Sequence, residues 1–154
     1  MITPQEIISL IPKASLWVEE QEAIILSNGV PLTEKQLSIA SKIGIKNINK
    51  IRLLQVESIP EPADSILDEV SKGIGFISDN TLGITYRYGI YIRHDFWENE
   101  NLIIHELTHT LQYERLGGIA EFLNQYIKEC IYYGYDRSPL EVEARTMEKK
   151  LKDR

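Results

Sequence analysis

The chain has 154 residues, 43% of them hydrophobic and 26% charged, with a formal net charge of -6 and one cysteine, the balance of a single soluble globular domain spanning residues 1–154. An acidic chain whose charge is spread over both halves has no basic face for nucleic acid, so that partner is excluded. Apolar runs such as Ala23-Ile24-Ile25-Leu26 fall far short of the roughly 18 residues of a membrane span, and Met1 to Glu6 carry no export signal. The expectation is a cytoplasmic protein with no membrane partner, in which Cys130 forms no internal disulfide and is a buried, inert thiol.

The first part, residues 1–49, reads as helical. Thr3-Pro4-Gln5-Glu6 combines an N-cap, a proline at the first helical position and a capping-box glutamate. Apolar residues recur at Ile7, Ile8, Leu10 and Ile11 before Pro12 interrupts. A second helix from about Lys13 carries Trp17, Val18, Ile24 and Ile25 and stops near Asn28-Gly29. Thr33-Glu34-Lys35-Gln36 opens a third, which Gly44 ends.

From Lys50 the pattern turns to strands. Ile51 to Val56 is a short β-rich run bounded by Pro60 and Pro62, and a short helix covers about Ala63 to Ser71. Gly73 to Ser78 and Ile84 to Arg93 then flank the turn-forming cluster Asp79-Asn80-Thr81-Leu82-Gly83, which predicts a hairpin of two strands around it. The sheet is expected to be small and antiparallel or mixed. The run Ile84 to Arg93 alternates in a way that suits a half-exposed edge, against which an extended peptide could pair, or an ordinary core-facing strand.

The last third is helical again. One helix follows Glu98 and Glu100 and runs through His105 and His109 to Leu116, ended by Gly117-Gly118. Ile119, Phe122, Leu123, Tyr126 and Ile127 mark the apolar face of the next. Tyr132 to Asp136 reads as a loop, and Ser138-Pro139-Leu140-Glu141 starts a final helix with basic residues Lys149, Lys150, Lys152 and Arg154 at its end.

His105-Glu106-Leu107-Thr108-His109 places two imidazoles about 40° apart on one helix face with a carboxylate between them. Zinc accepts two imidazoles at that spacing, and a carboxylate just outside bonding distance can take a proton from zinc-activated water. A catalytic zinc needs a third protein ligand. The metzincin pattern would require a histidine at position 115, where this chain has Arg115, and His94 reads as a surface residue or substrate contact more readily than as a ligand. Glu141 and Glu143 lie about 200° apart on the final helix, so one of them faces the metal. Glu141 is preferred, because the small Ala144 shares its face and allows close approach; a capping box with Ser138 would instead leave Glu143 as ligand.

His105-Glu106-x-x-His109 followed by Glu141-x-x-Ala144 resembles the gluzincin group of zinc metallopeptidases. The stretch from His105 to Gly118, with Tyr135 and Pro139 to Ala144, further resembles small bacterial proteins that carry a minimal zincin core, and the likeness covers about residues 84 to 148. The resemblance implies a zincin-like α+β fold, with residues 50–154 as the catalytic core. It also implies Zn2+ held by His105, His109 and Glu141, with Glu106 as general base for the hydrolysis of peptide bonds in a peptide or protein substrate. The group places an aspartate behind the first histidine where this chain has Arg145, which cannot accept the imidazole proton, so either Asp95, Asp136 or Glu143 takes that place or the site is tuned differently. Tyr133 and Tyr135 are candidate donors to an oxyanion. The other reading of the same residues is a zinc-stabilised scaffold or partner-binding module without turnover, and Glu106 favours the hydrolase because a structural site does not use it.

Overall fold

The computed structural model describes residues 2–152, so Arg154 of the basic tail lies outside the described residues. The fold is mixed α+β, with seven α-helices and one four-stranded sheet among the described residues. No helix among them is long and apolar enough to cross a membrane.

The helical first part forms as its local signals direct. Thr3 and Thr33 each complete a capping box, with Glu6 and Gln36 reaching back, and open α1 (Pro4–Ser9) and α3 (Glu34–Ile43). Pro12 starts α2 (Ile11–Asn28) instead of merely interrupting, because a proline within the first turn forfeits no helical hydrogen bond. Gly44 ends α3 in the left-handed conformation, at φ 107°.

The sheet has the order β1-β2-β4-β3. The strand β1 (Val30–Pro31) pairs antiparallel with β2 (Arg52–Val56), β2 runs parallel to β4 (Gly89–Arg93), and β3 (Gly83–Tyr86) returns antiparallel on the outer edge. The hairpin therefore differs from the expected one. Gly73 to Ser78 is no strand: after α4 (Ser65–Gly73) the chain winds on, with the amides of Phe76 and Ile77 reaching back to the Ser71 carbonyl. The run Ile84 to Arg93 is instead folded in two by a tight turn at Arg87 and Tyr88, with Arg87 at φ 60°. Nor is β4 half-exposed. It lies inside the sheet, its Tyr91 packed among α2 and α6 (Ile119–Tyr133) and its Ile90 and Ile92 among α3 and α5 (Glu100–Leu116). Each of these isoleucines, fully buried, contributes about 1.5–3 kcal/mol. The edge strand beside the histidine helix is β3.

Asn99 caps α5 by accepting from Leu102 N, and α7 (Pro139–Lys152) packs along α5. The first turn of α7 is held from α6, where the buried Glu129 accepts from Leu140 N at 2.9 Å. That contact fixes the start of the helix whose next residue is Glu141. Cys130 is buried on α6, and its thiol is pushed up to about 12 by burial and the nearby charges of Glu141 and Glu129.

Candidate metal centre

His105 and His109 project from α5 toward the first turn of α7, and the donor atoms of His105, His109 and Glu141 lie within 4.8 Å of one another. His105 Nε2 is 3.0 Å from Glu141 Oε1, and His109 Nε2 is 3.1 Å from Oε2. A tetrahedral ion bonded at about 2.0–2.2 Å holds its ligands about 3.4 Å apart, close to these two histidine–carboxylate separations.

The other face of each ring is already committed. His105 Nδ1 lies 2.6 Å from Glu148 Oε2, and His109 Nδ1 lies 2.7 Å from Gln112 Oε1. An acceptor at Nδ1 keeps the proton there and leaves Nε2 as the donor atom. The Gln112 amide is oriented in turn by giving its two N–H groups to the Leu140 carbonyl at 2.9 Å and to Glu143 Oε1 at 2.7 Å. Glu143 is itself gripped by both terminal nitrogens of Arg115. On the Glu141 side, Tyr126 donates its hydroxyl to Oε2 at 2.7 Å. The three residues could hold a metal ion, and every polar atom they leave over is braced by a partner.

The electrostatics follow from burial and proximity. Burial alone would lower His105, but the hydrogen bond to Glu141 and the charges of Glu106 and Glu141 outweigh it and raise the imidazole to about 9. His109 is raised against the same burial by the charge and hydrogen bond of Glu141. Burial pushes Glu141 up, yet His109 and His105 hold it far below the ordinary carboxylate range. Burial drives the Tyr126 hydroxyl well up, keeping it a proton donor to Glu141.

Glu106 is buried beside the cluster without being one of its donors. Thr85 on β3 reaches across with Oγ1 2.8 Å from both the Glu106 carbonyl and its Oε1. Gly83 permits this closeness: a Cβ there would sit 3.3 Å from Glu106 Cγ and 3.2 Å from Ile92 Cδ1 and the Tyr91 carbonyl. A cleft of about 500 Å³ opens onto His105 and Glu106, walled by Thr81 to Gly83 on one side and Phe96, Leu102 and Tyr135 on others.

Of the candidates read from sequence, His105, His109, Glu141 and Glu106 are brought together and Glu143 is not a donor. Glu141 keeps its carboxylate in the cluster while Ser138 Oγ accepts from its amide at 3.4 Å, so the cap does not compete with it. The carboxylate behind His105 is Glu148, and none of the three expected. Asp95 is taken by Arg93, Asp136 offers its carbonyl to Arg145, and Glu143 reaches His109 only through Gln112. The signal for Glu148 was its spacing, seven residues or two turns beyond Glu141 on one helix face. Tyr133 falls on an exposed last turn of α6, whereas Tyr135 lines the cleft, its hydroxyl pushed up by burial and by Glu141 and Glu106. His94 is exposed and outside the cluster. Comparison of the chain with protein-family models, with curated proteins and with solved structures finds no match in any of the three.

Proposed function

We propose that this chain is a zinc metallopeptidase of the gluzincin type, in which His105, His109 and Glu141 hold Zn2+ and Glu106 is the general base. Two imidazoles and one carboxylate are the donor set of a catalytic zinc with a position left open. A bound zinc ion supplies Lewis acidity, which brings water within reach of a carboxylate base near neutral pH and polarises a peptide carbonyl. Glu106 takes the proton from that water and returns it to the departing amine. Tyr135 lines the same cleft and is the candidate hydrogen-bond donor to the carbonyl oxygen as it gains charge. Thr81 to Gly83 form the wall along which an extended peptide or protein segment is laid.

One observation carries this reading above a zinc-stabilised scaffold. Glu106 is a buried carboxylate held by Thr85 beside the donors and facing the cleft, and a structural site has no use for it. The test is zinc content and cleavage of a mixed peptide library by the purified chain and two variants. Glu106→Gln is expected to keep about one zinc and lose cleavage, whereas His109→Ala loses both. Retained zinc with no cleavage by the unaltered chain favours the scaffold; a chain that takes up no zinc overturns both readings.

A further inference from the structure

The β3–β4 turn lies at the opposite end of β3 from Gly83, and it gathers cations in a chain that is acidic as a whole. Lys50, Arg52 and Arg87 surround Tyr88 at the rim of a concave surface of about 440 Å³, completed by Leu26 and Glu22. Lys50 Nζ stands 5.4 Å from the Tyr88 ring centroid, the Arg52 amide donates to the Tyr88 carbonyl at 2.9 Å, and Arg87 precedes Tyr88 in the chain, so all three residues border Tyr88. We infer that this surface is a binding site for a small phosphate ester, separate from the metal cluster.

Two of the three cations are held in place before any ligand arrives. Arg52 gives Nη1 to the carbonyls of Asn49 and Ile51 at 2.9 and 2.8 Å, which leaves Nε and Nη2 without a protein partner among the described residues. Arg87 gives Nε and Nη2 to the buried Glu22 and keeps Nη1. A guanidinium fixed by one edge presents the other at little entropic cost, and its planar fork matches the oxygens of phosphate. Glu22 neutralises Arg87 through their ion pair and also accepts from the Tyr88 amide, while Glu114 is taken by the amides of Lys46 and Asn47 and the Tyr88 hydroxyl, which leaves Lys50 and Arg52 as the cations without a carboxylate partner among the described residues.

Independent of charge, the backbone at Arg87 is strained. A positive φ at a long side chain persists where its surroundings over-determine it, and such residues concentrate at ligand sites. Here Glu22 holds the guanidinium and the next amide, and Thr110 Oγ1 donates to the Arg87 carbonyl at 2.7 Å. The two uncompensated cations, Lys50 and Arg52, suit a dianion, and Leu26 with the Tyr88 ring offers an apolar wall for the ester substituent.

The test titrates the full chain with inorganic phosphate and with phenyl phosphate at constant ionic strength, following backbone amides by NMR. The expected result is saturable shifts at residues 50–52 and 87–88, with a Kd of about 1 mM or tighter for phenyl phosphate. Arg52→Gln and Lys50→Gln should each weaken binding by about tenfold without changing zinc content, since each removes one charged hydrogen-bond donor. Arg87 is left intact because its loss strands Glu22. Absence of saturation, or variants that bind phenyl phosphate as tightly as the unaltered chain, overturns the proposal.

Discussion

Glu148 Oε2 lies 2.6 Å from Nδ1 of His105, two helical turns along α7 from the carboxylate that faces the other nitrogen of the same ring. One helix therefore grips one imidazole from both sides. Glu148→Gln keeps an acceptor but removes its charge, and Glu148→Ala removes both. Losing such a partner costs about 10–100-fold in metal affinity, so Ala should weaken zinc toward the upper end of that range and Gln toward the lower, measured by competition with a chromogenic chelator. Equal affinity in all three proteins would show that the contact does not orient His105.

The pH dependence of the zinc-free protein follows from the same ring. His105 is raised from 6.5 to about 9, because the Glu141 hydrogen bond and the Glu106 and Glu141 charges outweigh burial. A folded value above the unfolded one means that protonation favours the fold. The contribution is complete below about pH 6.5 and is lost as pH rises through about 9. In chelator, Tm should fall across that window; with bound zinc, which occupies the nitrogen in place of the proton, it should hold steady. Apparent zinc affinity should tighten over the same interval. A Tm in chelator that does not fall contradicts the assignment.

Gly83→Ala tests how closely β3 must approach Glu106 for the proposed activity. The backbone there tolerates a side chain, since its φ lies outside the left-handed range, but the added Cβ meets Glu106 Cγ at 3.3 Å. The expected variant is folded, binds zinc with unchanged stoichiometry and cleaves peptide at least about tenfold more slowly, because a misplacement near 1 Å can cost about a hundredfold. Loss of zinc instead would mean that Gly83 serves the ligand helix and not Glu106.

Much of this arrangement was legible in the sequence because its signals are local. Thr3, Thr33, Gly44 and Gly117 mark helix ends through their own hydrogen bonds and backbone angles, and the boundaries they predict are those observed. His105, His109 and Glu106 are close because four residues make about one turn. The hairpin departs from expectation because Gly89 is a weak local signal for a reversal at Arg87 and Tyr88, and the side chain that grips Arg87 there, Glu22, comes from 65 positions away. Gly73 to Ser78 carries strand-like letters, yet Phe76 and Ile77 pack into the core from a coiled segment. Gln112 and Tyr126 are hidden in the sequence for a different reason. Each sits on an apolar helix face, where a polar tip looks like ordinary amphipathic packing until the partner helix is in place.

That long-range dependence gives the last prediction. Glu22 is 4% exposed and accepts from Arg87 Nε and Nη2 and from the Tyr88 amide at 2.9, 2.7 and 3.0 Å. Arg87→Ala leaves the carboxylate buried with one backbone donor, and removing one partner of a buried pair costs about 3–5 kcal/mol. The partly exposed Arg87 side chain lets water in, so the loss should fall nearer 2 kcal/mol, or about 8 °C in Tm. Arg87→Gly loses the same pair but relieves the positive φ, which costs about 1 kcal/mol for a residue with a side chain; it should therefore be the more stable of the two. A Glu22→Gln, Arg87→Ala double-mutant cycle separates pairing from backbone strain, because the coupling energy contains only the former. Coupling near zero would show that Thr110 alone holds the turn.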